Sequence, residues 1–221
     1  LIRNLAQSVF NFPDKGLNTS RACGRERGHM IRELQYRLAR DALAPLLYRA
    51  ATTVARARRK PRPPDPIFGP RLQSEGKLRE MLLSHYLSGR FADGAVPVAW
   101  ITSGAPVELL RPFGYHVVYP ENHAALCGAQ KVAVPLQEKA EQRGYDRELC
   151  GYARCDLGTA FGGKTPVGRL PRPDLLVACT NICQTVLFWY RVLAAHYRVP
   201  LVVVDTPFLH GQAKPHQLDY V

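Results

Sequence analysis

The chain has 221 residues, of which 46% are hydrophobic, so it is long enough to bury the core of one or two domains. No window approaches the roughly 18 uninterrupted apolar residues of a membrane-spanning helix, and the first residues lack the basic-then-apolar pattern of a secretion signal. We therefore expect a cytoplasmic protein without a membrane anchor. Because the chain starts at Leu1 and stops at Val221, where a further helix would begin, we expect a truncated protein that lacks a C-terminal domain.

The net charge of +12 is concentrated in the first part of the chain. Residues 1–80 contain 17 Lys and Arg against 7 Asp and Glu, whereas residues 81–221 contain 13 against 11. A solvated helix end that runs into a stiff linker explains the excess, and a surface for an anionic partner or a phosphorylated ligand is the alternative. Nucleic acid is disfavoured as a partner, because no helix-turn-helix, zinc finger or aromatic RNA-binding motif accompanies the charge. The excess peaks at Arg56, Arg58, Arg59, Lys60 and Arg62.

The pattern of apolar residues divides the chain at about residue 90. Upstream, apolar residues at helical spacing predict one or two amphipathic helices across 27–59 and a short helix across 77–86, with a Pro-rich linker at 61–70 between them. We expect residues 1–90 to form a basic helical region and residues 91–221 to form a separate α/β domain.

Four short apolar runs in residues 91–221 predict β-strands that alternate with helical patterns. This alternation predicts an α/β fold with a Rossmann-like parallel sheet and flanking helices. The strands are expected near 97–102, 116–119, 174–179 and 201–205.

The connections between these strands have patterns of their own. A short helix is expected before Gly114, which suits a left-handed helix end. Residues 122–143 are predicted to be helical with an interruption at Pro135, and residues 147–157 to form a further helix. The Gly- and Pro-rich loop at 158–173 is long enough to be suspected of a function.

Polar or thiol side chains follow three of the predicted strands: Ser103, Glu121 and the pair Cys179 and Cys183. Because the carboxyl ends of parallel strands meet at one edge of a sheet, where ligands bind, we expect these groups to form one site. Two simpler interpretations stay open: Ser103 as a cap of the following helix, and Glu121 as an exposed carboxylate at a helix start. His123 is either a surface residue or a neighbour of the site.

The cysteines are expected to be free thiols or metal ligands and not disulfides. In a reducing compartment disulfides are rare, and the absence of a CxxC pair argues against a zinc ribbon or a thioredoxin-like motif. The six cysteines are Cys23, Cys127, Cys150, Cys155, Cys179 and Cys183.

Five segments together resemble the family that unites 2-hydroxyacyl-CoA dehydratases with ATP-dependent (class I) benzoyl-CoA reductases. They occur in the family's order and cover about half of the chain, and no usable resemblance is found before about residue 90. The YPEN, ELCGYAR and TNICQT stretches are more similar to the reductase branch. The segments are SGAPVELLRPFG, VVYPENHAA, GYDRELCGYARCDLG, LPRPDLLVACTNICQTVLFWY and VPLVVVDTPF.

The resemblance implies a [4Fe-4S] cluster that three cysteines of the subunit hold. The family's first ligand matches Cys150 and its second matches Cys183, whereas the third would lie beyond Val221. Ser103 and Glu121 match a serine and a glutamate of the family. In the dehydratases these two resemble groups that contact the reacting end of the substrate. Cys179 lies inside the apolar run DLLVAC and is interpreted as packing within the strand, Cys127 as a core residue, and Cys155 as structural or simply near the site. Cys23 carries no signal.

The function that the resemblance implies is a cluster-binding subunit of a benzoyl-CoA-reductase-like enzyme, which takes part in the anaerobic degradation of aromatic compounds. Such an enzyme reduces an aromatic acyl-CoA with ferredoxin electrons, coupled to ATP hydrolysis on iron–sulfur activator subunits. A homologous second cluster-binding subunit is its other expected partner. Two alternatives stay open: a 2-hydroxyacyl-CoA dehydratase subunit, and a non-catalytic scaffold related to such subunits.

Overall fold

A computed structural model describes residues 19–58, 67, 69, 72–206, 209 and 211–220. The helical character predicted upstream of residue 90 is confirmed. The helices are α1 (Thr19–Leu38), a π-helical turn (Ala39–Leu43), α2 (Ala44–Arg58) and α3 (Gln73–Gly89). Apart from residues 67 and 69, the predicted linker lies outside the described residues. In the densest basic stretch, either the residue or its side chain also lies outside the part of the chain that the structure describes.

A four-stranded parallel sheet forms the centre of the second part of the chain, as the sequence predicts. Its spatial order is β2–β1–β3–β4, and the pairing of Val177 with Val202 is parallel, not a hairpin. Every residue of β1 and β3 is buried, because both middle strands are covered on both faces. The strands are β1 (Val98–Ile101), β2 (His116–Val118), β3 (Leu175–Cys179) and β4 (Leu201–Val204).

Helices occupy the connections between the strands. Two short 3₁₀ helices, Val107–Leu109 and Arg111–Phe113, replace the single short helix predicted before Gly114. Gly114 has a φ of 74°, the left-handed conformation expected of it. The remaining helices are α4 (Pro120–Ala129), α5 (Ala133–Glu141), α6 (Gly151–Ala160), α7 (Gln184–Tyr197) and α8 (Pro215–Leu218).

The helical break predicted at Pro135 is wrong. Helix α4 ends at Ala129, and α5 begins at Ala133, so Pro135 lies in the first turn of α5, where its missing N–H group costs no hydrogen bond. The chain reverses instead at Lys131, which adopts a positive φ of 59°. The predicted Gly- and Pro-rich loop also begins later, because α6 continues to Ala160.

The core is built mainly on one face of the sheet. Trp100 and Leu176 on that face pack with Trp189 and Tyr190 of α7, and the Trp100 Nε1–H group donates a hydrogen bond of 3.0 Å to the carbonyl oxygen of Pro171. Burial of one such large side chain stabilises the fold by roughly 1.5–3 kcal/mol. On the other face, Ala99, Ile101 and Val177 pack beneath the segment 105–119.

The upstream helices contact the sheet through aromatic residues. The Tyr36 hydroxyl lies 3.1 Å from His116 Nδ1 at the start of β2, and His85 of α3 stacks on the same imidazole with ring centroids 5.1 Å apart. Among the described helices, none is both long enough and apolar enough to cross a membrane.

Candidate functional site

Ser103 and Glu121 are in contact at the carboxyl edge of the sheet. Ser103 follows β1, Glu121 lies in the first turn of α4 just after β2, and the Ser103 backbone N–H donates a hydrogen bond of 3.2 Å to Glu121 Oε1. The 3₁₀ helix that starts at Val107 has no side-chain cap, so the expectation that Ser103 caps the next helix is wrong. The two strand ends are therefore joined through the Glu121 carboxylate.

The Glu121 carboxyl group is largely withdrawn from water. Its second oxygen, Oε2, is buried and has no hydrogen-bond partner among the described residues. Burial raises the pKa of Glu121, although hydrogen bonds from its own backbone and from Ser103 oppose that shift. The simple interpretation of Glu121 as an exposed carboxylate does not fit this environment. A carboxyl group whose pKa is raised in this way is better suited to deliver or accept a proton than an exposed one.

The turn that carries Cys183 lies against the Ser103–Gly104 loop. A Cβ atom added at Gly104 would stand 2.9 Å from Asn181 Oδ1 and 3.3 Å from the Ile182 side chain, so glycine permits the close approach of the two loops. Cys179, buried at the end of β3, adds a contact of 3.3 Å from its thiol to the carbonyl oxygen of Gly104. The loops after three neighbouring strands thus meet at one edge.

Both predicted cluster ligands precede a helix and are exposed. Cys183 is the residue before α7. Cys150 is the residue before α6, whereas the sequence predicted that it lies within a helix. The start of α6 is held by Gln137, whose Nε2 donates a hydrogen bond of 3.2 Å to the Gly151 carbonyl oxygen, and by an ion pair between Arg154 and Glu141.

Helices α6 and α7 pack together and point the same way. Phe161, just after α6, contacts the ring of His196 in the last turn of α7 at a centroid distance of 5.3 Å. Nearer the middle of the two helices, Asp156 of α6 and Tyr190 of α7 are neighbours. Burial raises the pKa of Tyr190, and the charges of Glu121 and Asp156 add to this effect. Asp156 and Tyr190 lie six and seven positions after Cys150 and Cys183, or about 9 Å and about 10 Å along the helices.

Each thiol therefore lies at the N-terminal end of one helix of this pair. Thiolates are the usual ligands of iron–sulfur clusters, and the N–H groups at helix N-termini favour anionic ligands. The donor set fits two ligands of a cluster, Cys150 and Cys183. No group of three or more metal-binding side chains occurs among the residues that the structure describes.

A buried polar cluster beneath Glu121 was not predicted from the sequence. His123 Nδ1 lies 2.9 Å from Asp156 Oδ1, and both side chains are almost completely buried. On the other side of the imidazole, Cys127 Sγ lies 3.6 Å from His123 Nε2. A spacing of four residues between His123 and Cys127 places both on one helix face, which is the signal that sequence reasoning left unused.

Burial and hydrogen bonding act against each other in this cluster. Burial alone would lower the pKa of His123, but hydrogen bonds with Asp156 and Cys127 outweigh it and raise the pKa to about 9. Burial raises the pKa of Asp156 to about 7, although His123 opposes that shift. The pair is thus a strongly hydrogen-bonded acid and base in a nearly water-free setting. Cys127, Cys155 and Cys179 are all buried, in agreement with their expected structural roles.

A cavity of about 490 Å³ lies elsewhere in the chain, between the upstream helices and the start of β2. Both Arg40 and Lys77 line it, but each makes an ion pair, with Asp41 and Glu80 respectively. None of its lining residues is a predicted site residue, so the cavity and the candidate site occupy different parts of the fold.

Comparison with known proteins identifies the family of this chain. The family model described as 2-hydroxyglutaryl-CoA dehydratase, D-component, matches residues 102–221, which is more than half of the chain. The chain belongs to this dehydratase family. The matched region begins at the end of β1 and contains the Ser103–Glu121 contact and both predicted cluster ligands.

Similar proteins include dehydratase and reductase subunits. The (R)-2-hydroxyisocaproyl-CoA dehydratase alpha subunit of Clostridioides difficile is 35% identical over 155 residues, a match that covers 67% of this chain and 38% of that protein. The alpha subunit of lactoyl-CoA dehydratase from Anaerotignum propionicum is 38% identical and covers 53% and 31%. One of the benzoyl-CoA reductase subunits of Thauera aromatica is 28% identical and covers 66% and 35%. The chain spans about a third of the length of these relatives.

Two expectations change with these comparisons. The resemblance to the family is confirmed, but the relatives favour the dehydratase branch at least as much as the reductase branch that the sequence stretches favoured. A match over 67% of the chain must also begin before residue 90, so the similarity extends into the upstream helices. Each of these relatives is named as one subunit of an enzyme with further subunits.

Proposed function

We propose that the chain is part of the α subunit of a 2-hydroxyacyl-CoA dehydratase, which removes water from a 2-hydroxyacyl-CoA thioester. The observation that carries this proposal is the contact between Ser103 and Glu121 at the sheet edge that also bears the Cys183 turn. Its dehydratase relatives at 35% and 38% identity, against 28% for the reductase subunit, favour dehydration over ring reduction.

Cys150 and Cys183 are the residues that would hold a [4Fe-4S] cluster, together with the third thiolate that the resemblance implies. Bound there, such a cluster supplies single electrons of low potential and an iron atom that is open to a substrate oxygen. The exposure of both thiols leaves them accessible to a cluster and to a partner subunit. We further propose a cytoplasmic, reducing setting, in which exposed thiols stay reduced.

Glu121 would move the proton that dehydration requires. Loss of water takes the hydroxyl group from C2 of the acyl chain and a hydrogen from C3. In its protonated form Glu121 would donate its proton to the departing hydroxyl group, and the proton released from C3 would restore the acid. The backbone N–H of Ser103 holds Glu121 Oε1, which orients the carboxyl group, and burial raises the pKa of that group.

The proposed partners supply what this chain lacks. A homologous second subunit would complete the active site with the acyl-CoA, and an ATP-hydrolysing iron–sulfur activator, reduced by ferredoxin, would deliver the electron. These partners come from the resemblance and from the subunit names of the relatives.

The test is an anaerobic assay of the full-length protein assembled with its partner subunit and activator, supplied with 2-hydroxyacyl-CoA thioesters and, separately, with benzoyl-CoA. We expect an enoyl-CoA product from the first and none from the second. In Glu121→Gln, turnover should fall by roughly 10²–10⁴-fold, the usual contribution of one acid–base group, while iron content and acyl-CoA binding stay close to those of the parent.

Other results would point to the alternatives. A reduced ring product from benzoyl-CoA would favour the reductase branch. An assembled complex without iron in this subunit would favour a non-catalytic scaffold. Unchanged turnover in Glu121→Gln would show that the carboxyl group only begins a helix.

A further inference from the structure

The buried polar cluster beneath Glu121 lies where α4, α6 and α7 meet. His123 and Asp156 of this cluster, and the neighbouring Tyr190 of α7, have side chains that are at most 1% exposed. Buried polar groups of this kind reduce stability unless they are hydrogen-bonded, so an apolar residue would be the simpler occupant of each position. Their presence calls for a function that an apolar core would not provide.

One hydrogen bond of the cluster connects the two helices that carry the candidate site. The bond between His123 Nδ1 and Asp156 Oδ1, at 2.9 Å, joins α4, whose first turn contains Glu121, to α6, which starts just after Cys150. His123 lies only two residues after Glu121. Any displacement of this pair therefore changes the position of the Glu121 carboxyl group.

Three buried oxygen atoms at this place have no hydrogen-bond partner among the described residues. They are Glu121 Oε2, Asp156 Oδ2 and the Tyr190 hydroxyl oxygen. The three groups lie within electrostatic reach of one another. Besides burial, the charge of Glu121 contributes to the raised pKa of Asp156, and the charges of both carboxyl groups contribute to the raised pKa of Tyr190. Two carboxyl groups that share a desolvated site cannot both ionise freely.

We propose that His123 and Asp156 are positioning residues for Glu121: their buried hydrogen bond fixes the start of α4 against α6 and so holds the Glu121 carboxyl group in its buried position. This inference rests on the proposed role of Glu121 in proton transfer. The pair acts through Glu121 and does not itself contact the substrate.

Other groups that face the pair complete its electrostatic setting. From α3, the Tyr86 ring lies 6.4 Å from the His123 ring, and its hydroxyl group donates a hydrogen bond of 3.4 Å to Asn122 Oδ1. The Cys127 thiol of α4 lies beside the imidazole, and the Cys155 thiol of α6 lies beside that of Cys127. None of these groups is changed in the variants of the experiment described below, so a difference between those variants does not come from them.

The experiment measures the ionisation of Glu121 directly in the full-length protein. Carbon-13 labelling of glutamate side chains gives a titration curve for each carboxyl carbon, and Glu121→Gln identifies the resonance of Glu121. We expect a midpoint above the ordinary range in the parent. In Asp156→Asn, which keeps the size of the side chain and a hydrogen-bonding partner for His123, the midpoint should stay near that of the parent. In Asp156→Leu, which removes that partner, the midpoint should fall toward the ordinary range of a carboxyl group.

Three further variants separate positioning from simple loss of packing. In His123→Asn the amide group can replace Nδ1 as the partner of Asp156, so the midpoint should stay near that of the parent, whereas His123→Leu should change it. Leu136→Ala is the matched control, because Leu136 is buried in the same helical interface and has no polar atom. It should lose stability while the midpoint of Glu121 stays unchanged.

Turnover provides the second measurement. The pH at which kcat declines should move down with the Glu121 midpoint in Asp156→Leu, with little change in KM. Equal Glu121 midpoints in the parent, Asp156→Leu and His123→Leu would overturn the inference, as would an equal shift in Leu136→Ala. The titration does not require a bound cluster. It therefore tests the positioning role separately, even if turnover in Glu121→Gln contradicts the proposed function.

Discussion

Gly158 lies in α6 where this helix crosses α5 most closely. A Cβ atom added there would overlap the carbonyl group of Leu136 and stand 2.6 Å from its carbon atom, whereas ordinary contacts begin near 3.4 Å. A Gly158→Ala variant must therefore separate the two helices by about 1 Å. The obstructing group is backbone, which cannot rotate aside as a flexible side chain can.

The expected loss of stability follows from two opposing effects. Overpacking costs roughly 1–3 kcal/mol, and a backbone obstruction places the cost at the upper end of that range. Alanine regains about 1 kcal/mol of helix propensity relative to glycine. We expect Gly158→Ala to lower the free energy of unfolding by about 2 kcal/mol, and the Tm by about 4–8 °C.

A matched glycine in a neighbouring helix provides the control. Gly128 lies near the end of α4, and a Cβ atom there meets no heavy atom within 4 Å. Gly128→Ala should raise the free energy of unfolding by about 0.5–1 kcal/mol. Urea unfolding followed by circular dichroism measures both variants. A change of less than about 0.5 kcal/mol in Gly158→Ala, or a loss of stability in both variants, would refute the close packing of α5 and α6.

Two further predictions concern the cluster ligands and the response to acid. Cys150→Ser and Cys183→Ser should each abolish iron retention and visible absorption in the assembled subunit, whereas Cys155→Ala, a buried thiol on α6, should keep both; retention in all three variants would remove the cluster assignment. Burial, with help from nearby His85, lowers the pKa of His116 from 6.5 to about 3. The unfolded chain therefore binds a proton at His116 more readily than the folded state does. The free energy of unfolding keeps its full value above pH 6.5 and decreases by at most about 5 kcal/mol as the pH falls toward 3. Acid unfolding of His116→Phe should depend less steeply on pH, and an unchanged dependence would contradict this assignment.

The sheet could be predicted from the sequence because its strands are continuous apolar runs. The run that ends at Cys179 and the run that starts at Leu201 each lie within about one residue of the observed strands, and the helical pattern between them required a parallel pairing. The meeting of Ser103 and Glu121 followed from the same topology, because consecutive strand ends in such a sheet share one edge.

The remaining features depend on contacts between distant parts of the chain. His123 and Asp156 lie 33 positions apart, and no local pattern of the chain indicates that two helices will bring them together. The start of α6 just after Cys150 was missed because its stabilising partners, Gln137 and Glu141, belong to another helix. Lys131 was missed for a different reason, since a positive φ at a lysine has no compositional signal.

The order of the strands also determines when the candidate site can exist during folding. Strand β1 pairs with β2 between residues that are close along the chain, such as Val98 and His116, but its pairing with β3 joins Ala99 to Leu175, about 76 residues away. Closing the longer loop is the slower event, because more chain entropy is lost before any contact compensates. The Ser103–Glu121 contact can therefore form early, while the Cys183 turn reaches it only after the longer pairing closes.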